Sequence, residues 1–416
     1  MKGIRRGRAR RCGGAESPAR KRPADTAGPE RRFIVDDINV LLVFGTRPEA
    51  VKMAPLKKTL DQTPGLCCKV CVTAQHRQML DQVLEIFGVR PDYDLNIMKS
   101  SQTLSYITTG VLNGMDEVLG SAHPDIVLVH GDTTTTMAAA LAAFYRRIPV
   151  GHVEAGLRTY DIYSPFPEEM NRRLTSQLAS LHFAPTVSNR ENLYRENIRD
   201  HVFVTGNTVI DALRTTVRPD YAYQSPALVP LRGFEGKIIL MTAHRRENLG
   251  EPLRNICRAV ARIARENPEL RVVYPVHLNP AVQNTAREIL GDLPNVVLCE
   301  PLDINDMHNL MSRCFFVMTD SGGLQEEAPA LGKPVLVLRT ETERPEAVKA
   351  GTVRMTGVEE DAIYRDASAL LHSPEAYRAM AHAANPYGDG RACQRIARAL
   401  LYYFGRGEKP EEFLCI

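Results

Sequence analysis

The sequence predicts two α/β domains, each built on a parallel β-sheet covered by helices. Three observations carry this. At 416 residues the chain is too long for one ordinary domain. Between Asp125 and Arg173 a short apolar run, Ile126 to Val129, feeds an alanine-rich helix opened by threonines and then a second apolar run, IPVGHV. That is the βαβ pattern of a parallel sheet. The same alternation resumes at KIILMTAHRRENLG, after a stretch from Pro219 to Gly236 that is rich in Pro and Gly, weakly periodic, and expected to be a connecting loop.

The first 32 residues are rich in Arg, Lys, Gly and Pro, with only Glu16, Asp25 and Glu30 as acids. A segment with so little to bury is expected to be a disordered tail, and it lacks the apolar stretch of a secretory signal. It could touch nucleic acid or be an upstream translation start, and the second reading is preferred. Without it the remainder is mildly acidic, so the net charge of +3 points to no partner; neither nucleic acid nor membrane is expected. No apolar run approaches the roughly 20 residues of a membrane span. Of the nine cysteines, Cys67, Cys68 and Cys71 resemble a metal cluster until the period of LCCKVCVTA is read as a strand. No CxxC pair is answered by another elsewhere, which argues against zinc and suits a reducing cytoplasm.

Ile38 to Phe44 reads as the first strand, ending in GTRPEAVKMAPL, where Gly45 permits a tight turn and Pro48 suits a first helical turn. The N–H groups of that helix start, with Arg47 and Lys52 beside them, form a candidate anion site; alternatively the helix is capped and the cations solvated. Gln75, His76 and Arg77 follow the next strand. The central stretch sets His130, Asp132, His152, Glu154 and Arg158 at two adjacent strand ends, where parallel sheets bind ligands. Caps and loop salt bridges account for one or two of these five, but not comfortably for all. LHFAPT is read as a closing strand before a helix from about Ser188, and HVFVTGNTVIDAL leads away from the first domain.

In the second unit, strands end in His244, Arg245 and Arg246, and then in His277. FFVMTDSGGLQEEAPALGKPVLVL places Ser321, Gly322 and Gly323 at the start of a helix carrying Glu326 and Glu327. Small residues there let backbone amides approach a phosphate. Arg344 lies just past the next strand. A last amphipathic helix, RACQRIARALLYYF, is expected to cross back onto the first domain.

GTRPEAVKMAPL, TAQHRQMLDQV, HGDTTTTMAAALAAFY, GHVEAGLRT, YSPFPEEMNRR, TGNTVIDAL, AHRRENLGEP, DSGGLQEEAP, TERPEAV and NPYGDGRA, in this order from about Val40 to Phe404, resemble the non-hydrolysing UDP-N-acetylglucosamine 2-epimerases. The resemblance implies an α/β fold of two Rossmann-like domains with parallel sheets facing a cleft, as in GT-B glycosyltransferases. The expected parts are a basic tail (1–36), an N-terminal domain (37–206), a C-terminal nucleotide-binding domain (207–384) and the returning helix (385–404). It implies interconversion of UDP-GlcNAc and UDP-ManNAc with neither nicotinamide nor metal. Anti elimination of UDP would leave a bound 2-acetamidoglucal, and re-addition would invert C2. The product would supply ManNAc-type sugars for cell-surface polysaccharide.

By the same resemblance Asp132, Glu154 and Glu168 are the acid/base candidates, completed by Arg172 and His244. Glu168 and Arg172 stand four apart on a helix and can pair on one face; taken alone, an ordinary surface salt bridge explains them. His244 could instead be a helix-capping histidine. Arg47, Lys52, Ser321, Gly322, Gly323, Glu327 and Arg344 match nucleotide-binding positions, with Glu327 on the ribose hydroxyls. Met307 stands where some members have an aromatic near the uracil. Gln75, Gln78, Gln102, Arg245 and His277 match a regulatory site for UDP-GlcNAc as activator, although Ser101 replaces an arginine expected there. A homodimer is implied. The alternatives are an epimerase of a related UDP-diacetamido uronic acid and a GT-B glycosyltransferase, which would need no carboxylate trio. A hydrolysing epimerase would bring a kinase domain, and the chain is expected to end before one.

Overall fold

The computed structural model describes residues 36–74, 77–99, 102–342 and 344–415. The expected tail, apart from Asp36, and the positions Gln75, His76 and Ser101 lie outside the described residues.

Thirteen strands form two sheets among the described residues. The first holds β1 (Ile38–Phe44), β2 (Leu66–Val72), β3 (Tyr93–Asp94), β4 (Ile126–His130), β5 (Val150–Val153), β6 (Leu181–Ala184) and β7 (Val202–Val204). Their order is β3-β2-β1-β4-β5-β6-β7, and neighbours pair parallel. The second holds β8 (Ile238–Thr242), β9 (Arg271–Pro275), β10 (Val296–Cys299), β11 (Phe316–Thr319), β12 (Val335–Val337) and β13 (Val353–Met355). Its order, β10-β9-β8-β11-β12-β13, is also parallel. Each sheet therefore reverses its winding once, between β1 and β4 and between β8 and β11, the doubly wound arrangement that opens a crevice at the strands' carboxyl ends. This is the two-Rossmann, GT-B-like architecture.

The helices alternate with the strands. In the first half they are α1 (Arg47–Asp61), α2 (Arg77–Phe87), α3 (Leu104–Ala122), α4 (Thr134–Tyr145), α5 (Glu168–Leu178), α6 (Val187–Arg195) and α7 (Thr208–Thr216). The second half carries α8 (Glu251–Glu266), α9 (Pro280–Leu290), α10 (Ile304–Arg313), α11 (Gly322–Ala330), α12 (Pro345–Ala350), α13 (Glu360–His372) and α14 (Pro374–Ala381). Leu41, Leu42, Val43 and Phe44 are all buried, because helices cover both faces of the sheet.

Two chain crossings join the halves. After β7 the TGN turn leads into α7, which packs on α1 on one side and on α11 on the other. The chain returns through α15 (Ala392–Tyr403), whose Cys393, Ile396 and Leu400 enter the core beneath α1. Asp211 of α7 accepts from the amides of Ala392 and Cys393 (3.2 and 3.0 Å), so one crossing caps the other. Gly206 sits at φ +84°, and a Cβ there would lie 3.2 Å from the Gly388 Cα, so both conformation and space demand glycine. Cys68 and Cys71 are buried strand residues, and Cys67 of the same strand is exposed. No helix among the described residues is long and apolar enough to cross a membrane.

Candidate active site

The turn after β1 is built tightly. A Cβ on Gly45 would lie 2.0 Å from Thr73 Oγ1, so glycine is needed for space rather than for a left-handed backbone. The Gly45 and Thr46 amides donate to Glu49 Oε2 (3.0 and 2.8 Å), while Thr133 and Thr136 hydroxyls donate to Oε1. Two amides of the turn ahead of the helix therefore already have a buried carboxylate as partner. Arg47 donates to the Leu302 carbonyl of the second half (3.3 Å); burial lowers its pKa despite Asp303 and Glu327 nearby. Lys52 reaches Glu154 in a short salt bridge, with side chains 14 % and 11 % exposed.

Glu154 follows β5 with φ +64°, a left-handed conformation uncommon in a non-glycine residue and a mark of local strain. Oε2 receives Lys52 and Asn207 Nδ2 (2.9 Å), and His130 Nε2 stands 3.6 Å away. Burial alone would push the Glu154 carboxyl up, but Lys52 and His130 hold it well below the usual carboxylate range. Burial would likewise lower Lys52; Glu154, with Glu326 beyond it, raises it instead.

Asp132 accepts from Arg172 Nη2 at 2.5 Å. The expected Glu168–Arg172 pair does not form. Arg172 turns to Asp132 and to Glu169 Oε2 (3.4 Å), because Glu169 is on the buried face and Glu168 is not. Glu169 also accepts from the Thr159 and Tyr160 amides, which fixes the loop ahead of α5. Two of the five strand-end residues are structural. His152 is fully buried, with Nε2 2.7 Å from the Gly131 carbonyl, and burial lowers its pKa to about 3. Arg158 is a buried partner of Glu196 and Ser176. His130, Asp132 and Glu154 remain.

The second half contributes the start of α11. Ser321 precedes it, and a Cβ on Gly322 would lie 2.5 Å from Arg344 Nη1, so the guanidinium rests directly on the helix end. Arg344 Nε donates to Glu326 Oε1 (2.7 Å). Glu326 is 2 % exposed; burial raises its pKa, and Arg344 and Lys52 offset only part of that. Glu327 faces His308 Nε2 (3.4 Å), which with Lys52 and Arg47 overcomes burial and lowers its pKa. His308 Nδ1 is held by Thr216 (2.7 Å). Backbone amides at a glycine-opened helix start, under a guanidinium, suit a phosphate.

Asp320, fully buried, accepts from the His244 and Arg245 amides (2.8 Å each) and from Asn248 (3.0 Å), which shapes the loop after β8. The His244 ring is 39 % exposed and 3.8 Å from Asp320, so it is no helix cap; burial and His277 lower its pKa, against Asp320. His277 meets it edge to face at 5.1 Å. Thus His277 and Arg245 share one corner with His244. Gln102 lies before α3, and the Gln78 side chain, like Gln75 and Ser101, is outside the described residues.

Asn207, Glu326, Glu169, Asp320 and His308 were not identified as site residues from the sequence. TGNTVIDAL, DSGGLQEEAP and PEEMNRR contain all but His308, so the motifs held the signal without telling capping residues from site residues. Among the described residues no cluster of His, Cys, Asp or Glu is gathered for a metal. A cleft of about 380 Å³ opens beside Arg172, between Leu157–Tyr160, α6 and the first turn of α12.

A family model for UDP-N-acetylglucosamine 2-epimerase matches residues 58–401. A Bacillus subtilis UDP-N-acetylglucosamine 2-epimerase is 56 % identical over 378 residues, covering 90 % of this chain and 98 % of that protein. The Neisseria meningitidis UDP-GlcNAc 2-epimerase bound to UDP-GlcNAc is similar in structure at TM-score 0.81 and 52 % identity, covering 88 % of this chain and all of that one. The S. aureus MnaA–UDP co-structure is similar at TM-score 0.83 and 48 % identity, covering 91 % and 100 %.

Proposed function

The chain belongs to the UDP-N-acetylglucosamine 2-epimerases, an isomerase family, and from that premise we propose that it interconverts UDP-GlcNAc and UDP-ManNAc by elimination and re-addition of UDP. In the first stage a carboxylate takes the C2 proton, the C1–O bond to the phosphate breaks with its electron pair, and a C1=C2 double bond forms. The bound 2-acetamidoglucal then receives a proton on the opposite face of C2, and the phosphate oxygen bonds C1 again.

The C2 proton is weakly acidic, so the base must be held in place and the leaving phosphate stabilised as it departs. Asp132, Glu154 and Glu168 are the proton-transfer groups in this reading. Glu154 is kept ionised by Lys52 and His130, as a base must be. Arg172 holds Asp132, and His244 stands at the mouth of the second sheet. Arg344 and the amides of Gly322 and Gly323, with Ser321, receive the phosphates; Arg47 neutralises charge beside them, and Glu327 takes the ribose. The observation that carries the reading is the meeting of the Lys52–Glu154 pair from one sheet with the Glu326–Arg344 pair from the other, within hydrogen-bond reach of one asparagine.

Further parts rest on family membership and residue matches: UDP-GlcNAc acting also as activator near Arg245 and His277, a homodimer, a cytoplasmic site of action and a product destined for surface polysaccharide. The test of the reaction is turnover of UDP-GlcNAc in deuterated water with separation of both sugars. Deuterium at C2 of each is expected; hydrogen retained at C2 overturns the mechanism, and no UDP-ManNAc at all overturns the activity.

A further inference from the structure

Asn207 sits where the chain leaves the first sheet for the second, and every polar group it has is engaged. Its amide donates to the Tyr387 carbonyl (2.7 Å), in the loop that leads back through α15. Its Oδ1 accepts from Val209 N (3.1 Å), capping α7. Its Nδ2 donates one hydrogen to Glu154 Oε2 and the other to Glu326 Oε2, at 2.9 Å each. The reverse orientation would set its oxygen against two carboxylates, so the partners fix the assignment. The residue is 3 % exposed.

Two consequences follow from these contacts. Glu154 Oε2 is filled by Lys52 and Asn207, which leaves Oε1 without a hydrogen bond from a described residue. A Cβ on Gly131 would meet that same Oε1 at an ordinary contact distance of 3.8 Å, and it is the φ of +67° that calls for glycine in the turn facing it. On the other side Glu326, held by Asn207, holds Arg344 over the start of α11. A continuous hydrogen-bonded chain therefore runs Glu154, Asn207, Glu326, Arg344, with its two middle members buried.

We propose that Asn207 is a positioning residue of the epimerisation site, fixing Glu154 through Oε2 and Arg344 through Glu326, so that the proton-transfer group and the phosphate-binding group keep one separation. This rests on the reading that Glu154 transfers the proton. Elimination breaks C2–H and C1–O across one bond, so an error in the distance between base and phosphate clamp enters the barrier directly. The asparagine links residues on opposite sides of the cleft while using a side chain that cannot ionise between two that can.

The experiment compares Asn207→Ser and Asn207→Asp with Glu154→Gln in the full chain. Both substitutions at 207 keep an oxygen able to cap α7. Asn207→Ser cannot reach the carboxylates, and kcat should fall about 100-fold at every pH, the scale of a small misplacement, with KM and the UDP dissociation constant changing far less. Asn207→Asp sets a third carboxylate against Glu154 and Glu326, in a cluster otherwise faced by Lys52, His130 and Arg344. Protonated, it can donate as the amide did; ionised, it repels. Its rate relative to the parent should therefore rise as pH falls from 9 to 6, a trend that a merely structural role does not give. If Glu154→Gln keeps the parent rate, the functional reading fails. If Glu154→Gln is inactive while both folded 207 variants keep kcat within threefold across the range, the positioning role is overturned. Should neither 207 variant fold, Glu326→Gln carries the test, since its amide oxygen can still accept from Asn207 but releases Arg344. A tenfold or larger loss of UDP affinity is expected, and unchanged affinity overturns the link.

Discussion

The guanidinium of Arg344 occupies the place where a side chain on Gly322 would have to be, 2.5 Å from its Cβ position. Glycine at the start of α11 thus makes room for a neighbour's guanidinium. Gly322→Ala should push Arg344 off the helix end without disturbing the sheet. A lost charge-assisted contact is worth about 1.5–3 kcal/mol, so UDP affinity by calorimetry should fall about tenfold or more. Affinity within twofold of the parent would remove Arg344 from the phosphate site.

The carboxylates are tested individually. Asp132→Asn, Glu154→Gln and Glu168→Gln should each lose turnover by about 10²–10⁴-fold, the usual contribution of a placed proton-transfer group, with folding retained by circular dichroism. Near-parent rates in all three would refute the assignment.

Adjacent residues on α5 should separate cleanly. Glu169 is fully buried and accepts from two backbone amides and Arg172, so Glu169→Gln should cost on the order of 2 kcal/mol in urea unfolding. Glu168→Gln should leave stability unchanged and affect turnover alone. The opposite pattern would mean that the two have been given each other's roles.

Acid should weaken the fold before the carboxylates titrate. Burial lowers His152 to about 3 and His182 to about 4, against about 6.5 in the unfolded chain. Both are depressed, so their contribution is complete above pH 6.5 and is lost as pH falls toward the folded values. Unfolding then takes up nearly two protons, a slope of about 2.4 kcal/mol per pH unit near pH 5.5. His152→Gln, whose Nε2 can still donate to the Gly131 carbonyl, should halve that slope in urea midpoints between pH 7 and 5. An unaltered slope would show that His152 is not neutral in the fold.

The activator reading predicts a lag from pure UDP-ManNAc that traces of UDP-GlcNAc remove. Ser101→Arg should shift that effect to lower UDP-GlcNAc, because a guanidinium adds a charge-assisted phosphate contact. An immediate reaction at full rate from UDP-ManNAc alone would rule out the activator site.

The sequence by itself determined the strands that lead into the motifs, among them β1, β2, β4, β5, β8, β9 and β11, and the helices that open after β1, β4 and β11; short strands such as β3, β10 and β13 were not read from it. Each of these depends on local apolar runs and turn residues: Ile38 to Phe44 is a strand because all but the exposed Asn39 are apolar residues that suit burial on both faces. Family membership was legible for a similar reason, since ten motifs keep their order along the chain. What only the tertiary structure decided is who faces whom. Arg172 could reach Glu168 or Glu169 from the same helix, and the choice fell to the packing of α5 against the loop at Thr159. His152 and Glu154 look alike as ionisable residues two apart, which an unbroken strand would set on one face, yet the strand stops at Val153: His152 stays buried beneath Gly131 while the left-handed turn at Glu154 aims its carboxylate at Lys52. Asn207 is 53 residues from Glu154 and 119 from Glu326. No local pattern encodes contacts over such separations; they exist because sheet order and the two chain crossings bring three distant segments to one point.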